Sequence, residues 1–275
     1  MRKLLSADLY RLKRDKVFWI CFLGMLLYTV LGMLGNCGQA LRDTASFTYT
    51  LDMFYFIYNL PIGLLIAVFV SMFLGAEYGD GTIRNKLIVG HTRRDIYLAN
   101  LVTNMVGGSL LLLAGLIGGL CGIPFMGTWK MGRMALVFIL ASAMCVAAYA
   151  AVFTLVGMLC SNKAVAAVLS ILLFLGLMMI AVTLYYSLAE PEVVNGLIIT
   201  AEGMQMGDLS PNPRYLTGLK REIYQFALDV LPTGQCIQME ELTAVHPVRM
   251  MVSSLVIAVG TTVCGIWAFG KKDLK

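Results

Sequence analysis

Residues 77–101 read EYGDGTIRNKLIVGHTRRDIYLANL, the longest charged segment between two long apolar ones. The chain around it is 59% hydrophobic and only 13% charged, so a polar island of this length needs a reason to exist. Gly79 and Gly81 flank Asp80, turn chemistry that ends one helix and bends the chain. Thr82 is placed to cap a short helix over residues 83–89, Gly90 to stop it, and His91 or Thr92 to start the next one. A helix of about seven residues is marginal on its own and must be held by contacts. Arg84, Lys86, Arg93 and Arg94 surround Ile83, Leu87 and Ile88, apolar anchors ringed by charge, which suits a protein groove with an acidic rim. Attraction to anionic headgroups is the simpler alternative, but it needs only basic residues and not this ordered Gly–Thr–basic–Leu–Gly–Arg layout.

Working outward, the composition sets the environment. A soluble domain of 275 residues would carry about a quarter charged side chains, whereas this chain has a mean hydropathy of +0.80. It reads as a single all-α polytopic membrane domain with six transmembrane helices. Residues 1–16 carry six basic side chains, with Leu5, Leu9 and Leu12 on one helical face, an interfacial helix lying along the membrane. The apolar run 17–35 is long enough to span and is followed by no clear cleavage site, so it is read as an uncleaved first span. The further spans are expected at 54–75, 98–123, 134–160, 164–186 and 248–269. Pro61 lies near the start of the second, where it can kink the helix. Gly115 and Gly119, four apart in the third, allow close helix packing. The long connection 187–247 is expected to hold one helix, with Leu216, Leu219, Ile223, Phe226 and Val230 at helical spacing, before Leu231-Pro232-Thr233-Gly234.

Six spans put both termini on one side. That side carries fourteen Lys and Arg against six acids, and the other seven against ten, a net +8 against −3. Basic residues favour the cytoplasm, so the termini and loop 77–97 are expected to be cytoplasmic in a plasma-membrane protein, and 187–247 extracellular.

Several chemistries are disfavoured. Gly265 to Lys272 nearly spells a phosphate-binding loop, but Lys272 stands where Ser or Thr should meet magnesium, and the motif ends a membrane span. The apolar runs hold no Asp or Glu except at their ends, which argues against a proton- or ion-coupled path. Asn59, Asn104 and Thr154 are the notable polar groups there, candidates for the pathway or for hydrogen bonds between helices. No nucleophile has a base at helical spacing, so no catalytic residue is expected. The seven cysteines show no metal-ligand spacing, so no metal site is expected; Cys37, Cys121 and Cys236 fall toward one membrane face, which leaves a disulfide among them open.

Glu77-Tyr78, Gly81-Thr82-Ile83-Arg84-Asn85-Lys86-Leu87, Gly90, Thr92-Arg93 and Ile96-Tyr97 resemble the first cytoplasmic loop of ABC type-2 exporter permeases. The basic N-terminal helix, the six spans, the Leu-Pro-x-Gly step and the Lys-Lys-Asp-Leu tail extend the resemblance over the whole chain, although only the loop is specific. The resemblance implies that this loop is a coupling helix seated in an ABC ATP-binding subunit, that residues 1–16 are an interfacial elbow helix, and that Glu77 ends the second span at the ATPase surface. It implies a second permease half, identical or related, contact with membrane lipid, no nucleic-acid partner, and no cofactor of this chain's own, since ATP and magnesium are bound by the partner. The chain departs from the pattern at Asn100, where many relatives carry Lys, with a consequence expected for how the third span meets the headgroups. The implied function is export of a peptide, antibiotic or lipid by alternating access. A non-transporting sensor or scaffold coupled to an ATPase remains the first alternative, and a secondary carrier or channel the second.

Overall fold

The computed structural model describes residues 1–42, 50–126, 129–200 and 203–273. Asp43, Glu202 and Lys275, counted above among the charges, lie outside them, as does Leu274 of the tail. Helix α1 (Arg2–Arg14) meets α2 (Lys16–Arg42) at Asp15. Asp15 leaves the helical conformation (φ −74°, ψ 120°), and its carboxylate accepts the amide of Phe18 at 2.7 Å, capping the new helix. The Trp19 indole donates to the Lys13 carbonyl at 2.8 Å, satisfying an orphan acceptor at the end of α1. The chain continues through α3 (Asp52–Tyr55) and a 3-10 turn into α4 (Asn59–Gly79), the short α5 (Thr82–Ile88) and α6 (Arg93–Gly119). A second 3-10 turn and α7 (Ile123–Met126) lead to α8 (Arg133–Leu159), α9 (Lys163–Ala189), the hairpin β1 (Val193–Thr200) and β2 (Gly203–Pro211), then α10 (Gly218–Val230), α11 (Pro232–Glu240) and α12 (Pro247–Lys271).

Among the described residues six helical runs are long and apolar enough to cross a membrane, and the fold is that of an all-α polytopic membrane protein with one antiparallel hairpin added. All begin further out than hydropathy alone places them, and all but the fourth also end further out: Lys16–Gly38, Asp52–Gly79, Arg93–Phe125, Arg133–Leu159, Lys163–Ala189 and Pro247–Lys271. Terminal turns carry charges that lower the local hydropathy while the backbone stays helical. Half or more of the spanning windows of α4, α6 and α8 are buried, against less than a third for α2, α9 and α12. The first three therefore form the centre and the others the wall. Exposed Ile20, Leu23, Leu27 and Leu31 on α2, and Val252, Val256, Val259 and Val263 on α12, line its outer surface.

Close packing follows the small residues. A Cβ on Gly115 would lie 2.6 Å from Tyr58 Cβ, and one on Gly119 2.9 Å from the Tyr55 ring, so these glycines let α6 approach the start of the second span. Pro61 does not kink the helix interior. It sits in the first turn of α4, where backbone amides lack helical partners, directly after the 3-10 turn Phe56–Tyr58. Interhelical hydrogen bonds do the work expected of the buried polar groups: Asn104 Nδ2 donates to Thr154 Oγ1 at 2.9 Å, and Ser142 Oγ to Asn59 Oδ1 at 2.9 Å.

The connection 187–247 differs most from expectation. Its helix α10 is present, but Leu219, Ile223 and Phe226 are exposed, and the residues it buries are Leu228 and Asp229. Beyond it, α11 is buried from Pro232 to Met239 and packs against α4, α8, α9 and α10, so the chain re-enters the bundle. Pro232 occupies the first helical turn, and a Cβ on Gly234 would run into the Leu228 carbonyl. That close turn is the physical reason for Leu-Pro-Thr-Gly. The Thr233 hydroxyl donates to the Leu177 carbonyl of α9 at 3.0 Å. All seven cysteines are free thiols: Cys37 is buried beside Met33 and Leu51, Cys121 is exposed, and Cys236 lies with its sulfur 3.7 Å from Cys145 Sγ. No disulfide joins Cys37, Cys121 and Cys236, because re-entry carries Cys236 away from the loop face and into the bundle.

Candidate functional site

Helix α1 and the end of α12 lie at one end of the bundle, and α5 lies at that end too, between α4 and α6. Gly81 adopts a left-handed conformation (φ +67°) as the residue preceding α5. Thr82 is not the cap that its position indicates. It is the first helical residue, and its hydroxyl donates backward to the Glu77 carbonyl at 3.0 Å, tying the turn to the end of α4. The helix stops in a Schellman arrangement: His91 N–H reaches the Lys86 carbonyl (3.1 Å), and Gly90 N–H the Leu87 carbonyl (2.9 Å), with Gly90 at φ +94°. Thr92 then caps α6, its oxygen accepting the Asp95 amide at 3.1 Å.

These turns decide which residues α5 presents. Sequence places Ile83 and Leu87 at the outer contact. In the structure Ile83 is 2% exposed and Leu87 is half-buried against the core, because the two positions face α4 and α6. The outward face is Arg84, Asn85, Ile88 and Val89, the last two 75% and 77% exposed. Arg94 is exposed beside them. An apolar pair standing this far out of a surface, flanked by Arg84 and Arg94, has the shape of a docking element.

Beneath that face lies an ion cluster. The Glu77 carboxylate is fully buried; its Oε1 lies 2.6 Å from Arg11 Nη1 and 2.5 Å from Lys86 Nζ, and its Oε2 accepts Asn100 Nδ2 at 2.9 Å. Lys86 also donates to Asp8 Oδ1 at 2.8 Å. Two anions and two cations from α1, α4 and α5, with an amide from α6, thus close on one point. The Arg11 guanidinium lies 3.8 Å over the Phe73 ring. Burial, and then the nearby Glu77 charge, raise the Asp8 pKa from its ordinary value, while Lys86 and Arg11 oppose the rise. A buried charge of this kind persists only when paired, so the cluster fixes α5 against α1, α4 and α6.

Two assignments change here. The buried line of α1 is Leu4, Asp8 and Leu12, with Leu5 and Leu9 half-buried beside it, since α1 packs on α6. Asn100 is fully buried and serves Glu77. Arg93 turns away from the outward face of α5. It donates to the Phe269 carbonyl at 3.1 Å and to the Lys272 carbonyl, gripping the end of α12. Lys272 in turn donates to the Tyr78 hydroxyl (2.9 Å) and the Met158 carbonyl (3.0 Å), and burial lowers its pKa. Lys272 therefore fastens the end of α12 across the ends of α4 and α8. Asp8, Arg11 and Lys272 carry no recognisable motif; the i, i+4, i+8 series Leu4, Asp8, Leu12 is the one signal that could have found the first.

The phosphate-loop look-alike is inert: Gly265 lies within α12, against the Tyr97 hydroxyl, not between a strand and a helix. Among the described residues no cluster of His, Cys, Asp or Glu could hold a metal ion.

A six-span helical bundle that buries its charges under a protruding apolar pair defines a polytopic membrane protein. Residues 4–181 match the family described as ABC-2 family transporter protein, and the chain belongs to it. It is accordingly a permease component of an ABC transporter, a family whose members work with an ABC ATP-binding subunit. No curated protein matches the chain.

Proposed function

We propose that this permease is one half of the membrane domain of an exporter, with the termini-bearing end in the cytoplasm and α5 seated in the ATP-binding subunit. ATP and magnesium stay on that subunit. The orientation is supported by the net +8 of basic over acidic residues at that end. The observation that carries the reading is the division of labour on α5: Arg84, Asn85, Ile88 and Val89 stand outward, while Ile83, Lys86 and Leu87 bind it to the bundle. Displacement of the outer face then moves α1, α4 and α6 as one, because Glu77 links all of them to α5. A partner shifts this equilibrium only by contacting the two states differently, which requires firm seating. A second half, a copy or a related permease, covers part of the exposed apolar wall, and lipid covers the rest. The cargo is amphiphilic, such as a peptide, antibiotic or lipid.

The test is the double substitution Ile88→Asp with Val89→Asp. Both side chains point to solvent, so the permease is expected to insert and elute normally but to lose copurification of its coexpressed ATP-binding subunit. Copurification at the unsubstituted level would overturn the docking assignment.

A further inference from the structure

The end of the bundle away from α5 holds a second constructed site. Arg221 on α10 donates Nη2 to the Leu188 carbonyl (3.2 Å) and lies 5.1 Å from the Tyr215 ring. Its Nη1 is buried without a partner, and among the described residues no carboxylate lies within ion-pair distance of it. Gln238 on α11 is 1% exposed; its Oε1 accepts Gln225 Nε2 at 3.0 Å, and its own Nε2 is likewise buried and unpartnered. Both side chains line one cavity of about 210 Å³ between the ends of α9, α10 and α11. Two buried donors with no acceptor are costly unless something supplies one.

The cavity shares the lining residues Arg221, Gln225 and Val245 with a groove of about 840 Å³. That volume is in the range of small-molecule sites. Leu219, Ile223 and Phe226 form the groove's apolar side. Arg249 and His246 also border it, but both are engaged by the buried Asp229 carboxylate, at 3.2 and 3.3 Å. Glu222 is the carboxylate on the rim. Arg221 is thus the bordering cation with a buried, unpartnered donor, at the head of an apolar trough.

We infer that this is a binding site for an anionic amphiphile: an oxyanion headgroup, phosphate or carboxylate, takes Arg221 Nη1 and Gln238 Nε2, and its aliphatic chain lies along Leu219, Ile223 and Phe226. The aliphatic chain is assigned to the groove because cavity and groove share Arg221, Gln225 and Val245. This site does not depend on α5 or on ATP, and its occupancy is measurable on the permease alone.

Native mass spectrometry of the delipidated full chain in a non-ionic detergent, with added phosphatidylglycerol, phosphatidylcholine or inorganic phosphate, tests it. Phosphatidylglycerol is expected to bind in preference to phosphatidylcholine. Arg221→Gln and Gln238→Leu are each expected to weaken it about tenfold, the size of one lost charge-assisted hydrogen bond, with phosphatidylcholine retention unchanged. Ile223→Asp should weaken phosphatidylglycerol and leave inorganic phosphate unaffected. Equal retention of the two lipids, or unchanged phosphatidylglycerol binding in Arg221→Gln, would overturn the site; if that variant elutes aggregated, Gln238→Leu is judged by the same criterion. Displacement of phosphatidylglycerol by equimolar inorganic phosphate would overturn the role of the groove. A loss of dimer with unchanged lipid binding in Ile223→Asp would do the same, making the groove a contact between copies.

Discussion

Glu77 is a carboxylate held out of water by four elements, and its substitution separates pairing from packing. Removing its charge leaves Arg11 and Lys86 facing each other with Asp8 as the remaining anion, so Glu77→Ala is expected to destabilise the protein by about 3–5 kcal/mol, the cost typical of stranding a buried charge. Adding Lys86→Met to Glu77→Gln removes one charge of each sign, and the double variant is expected to lose less than the sum of the two singles. Thermal unfolding of the purified variants checks both statements, and strict additivity would contradict the shared cluster. At the other end, burial first and Glu241 second push the Glu240 pKa from 4.5 up to about 8. A raised carboxyl pKa means that the folded state holds the proton more tightly. Its contribution is therefore complete below pH 4.5 and is lost as pH rises through about 8. Melting temperature is expected to fall over that window in the natural protein, and to fall less in Glu240→Gln; parallel profiles would refute the assignment.

Helix α5 depends on its two glycines more than on its intrinsic propensity, since seven residues do not hold a helix alone. Gly90→Ala forces a side chain into a left-handed backbone at a cost of about 1–2 kcal/mol. It is expected to raise amide exchange across α5 while leaving α4 and α6 protected, which hydrogen–deuterium exchange would show. The spans were legible because long apolar runs have few alternatives in a membrane, and the Gly–helix–Gly loop because turn chemistry is local. Residues 232–240 were not, because Pro-Thr-Gly-Gln-Cys-Ile-Gln-Met-Glu is too polar to read as a membrane-buried helix. Partners distant in sequence also hold it, as when Gln235 donates to the Met250 carbonyl and accepts from Ser254. The same limit turned α5 around. Charge and hydropathy identify Ile83, Leu87 and Ile88 equally, but only the packing of α4 and α6 decides which of them is buried.

For the whole molecule, the two ends are built differently. One joins α1, α4, α5 and α6 through charges and pins the α12 tail with Arg93 and Lys272; the other folds a re-entrant helix into the bundle around Asp229, Gln235 and Gln238. A force applied at α5 enters a unit already fastened together, which is what a permease coupled to a separate ATP-binding subunit requires. The direct test uses Val89→Cys, a position exposed at the tip of the docking face. In intact cells its thiol is expected to escape a membrane-impermeant maleimide, beyond the labelling of the native cysteines, and to cross-link to the coexpressed ATP-binding subunit with a short bifunctional reagent. Labelling from outside the cell, or a permease that cross-links no ATP-binding subunit, would contradict the account.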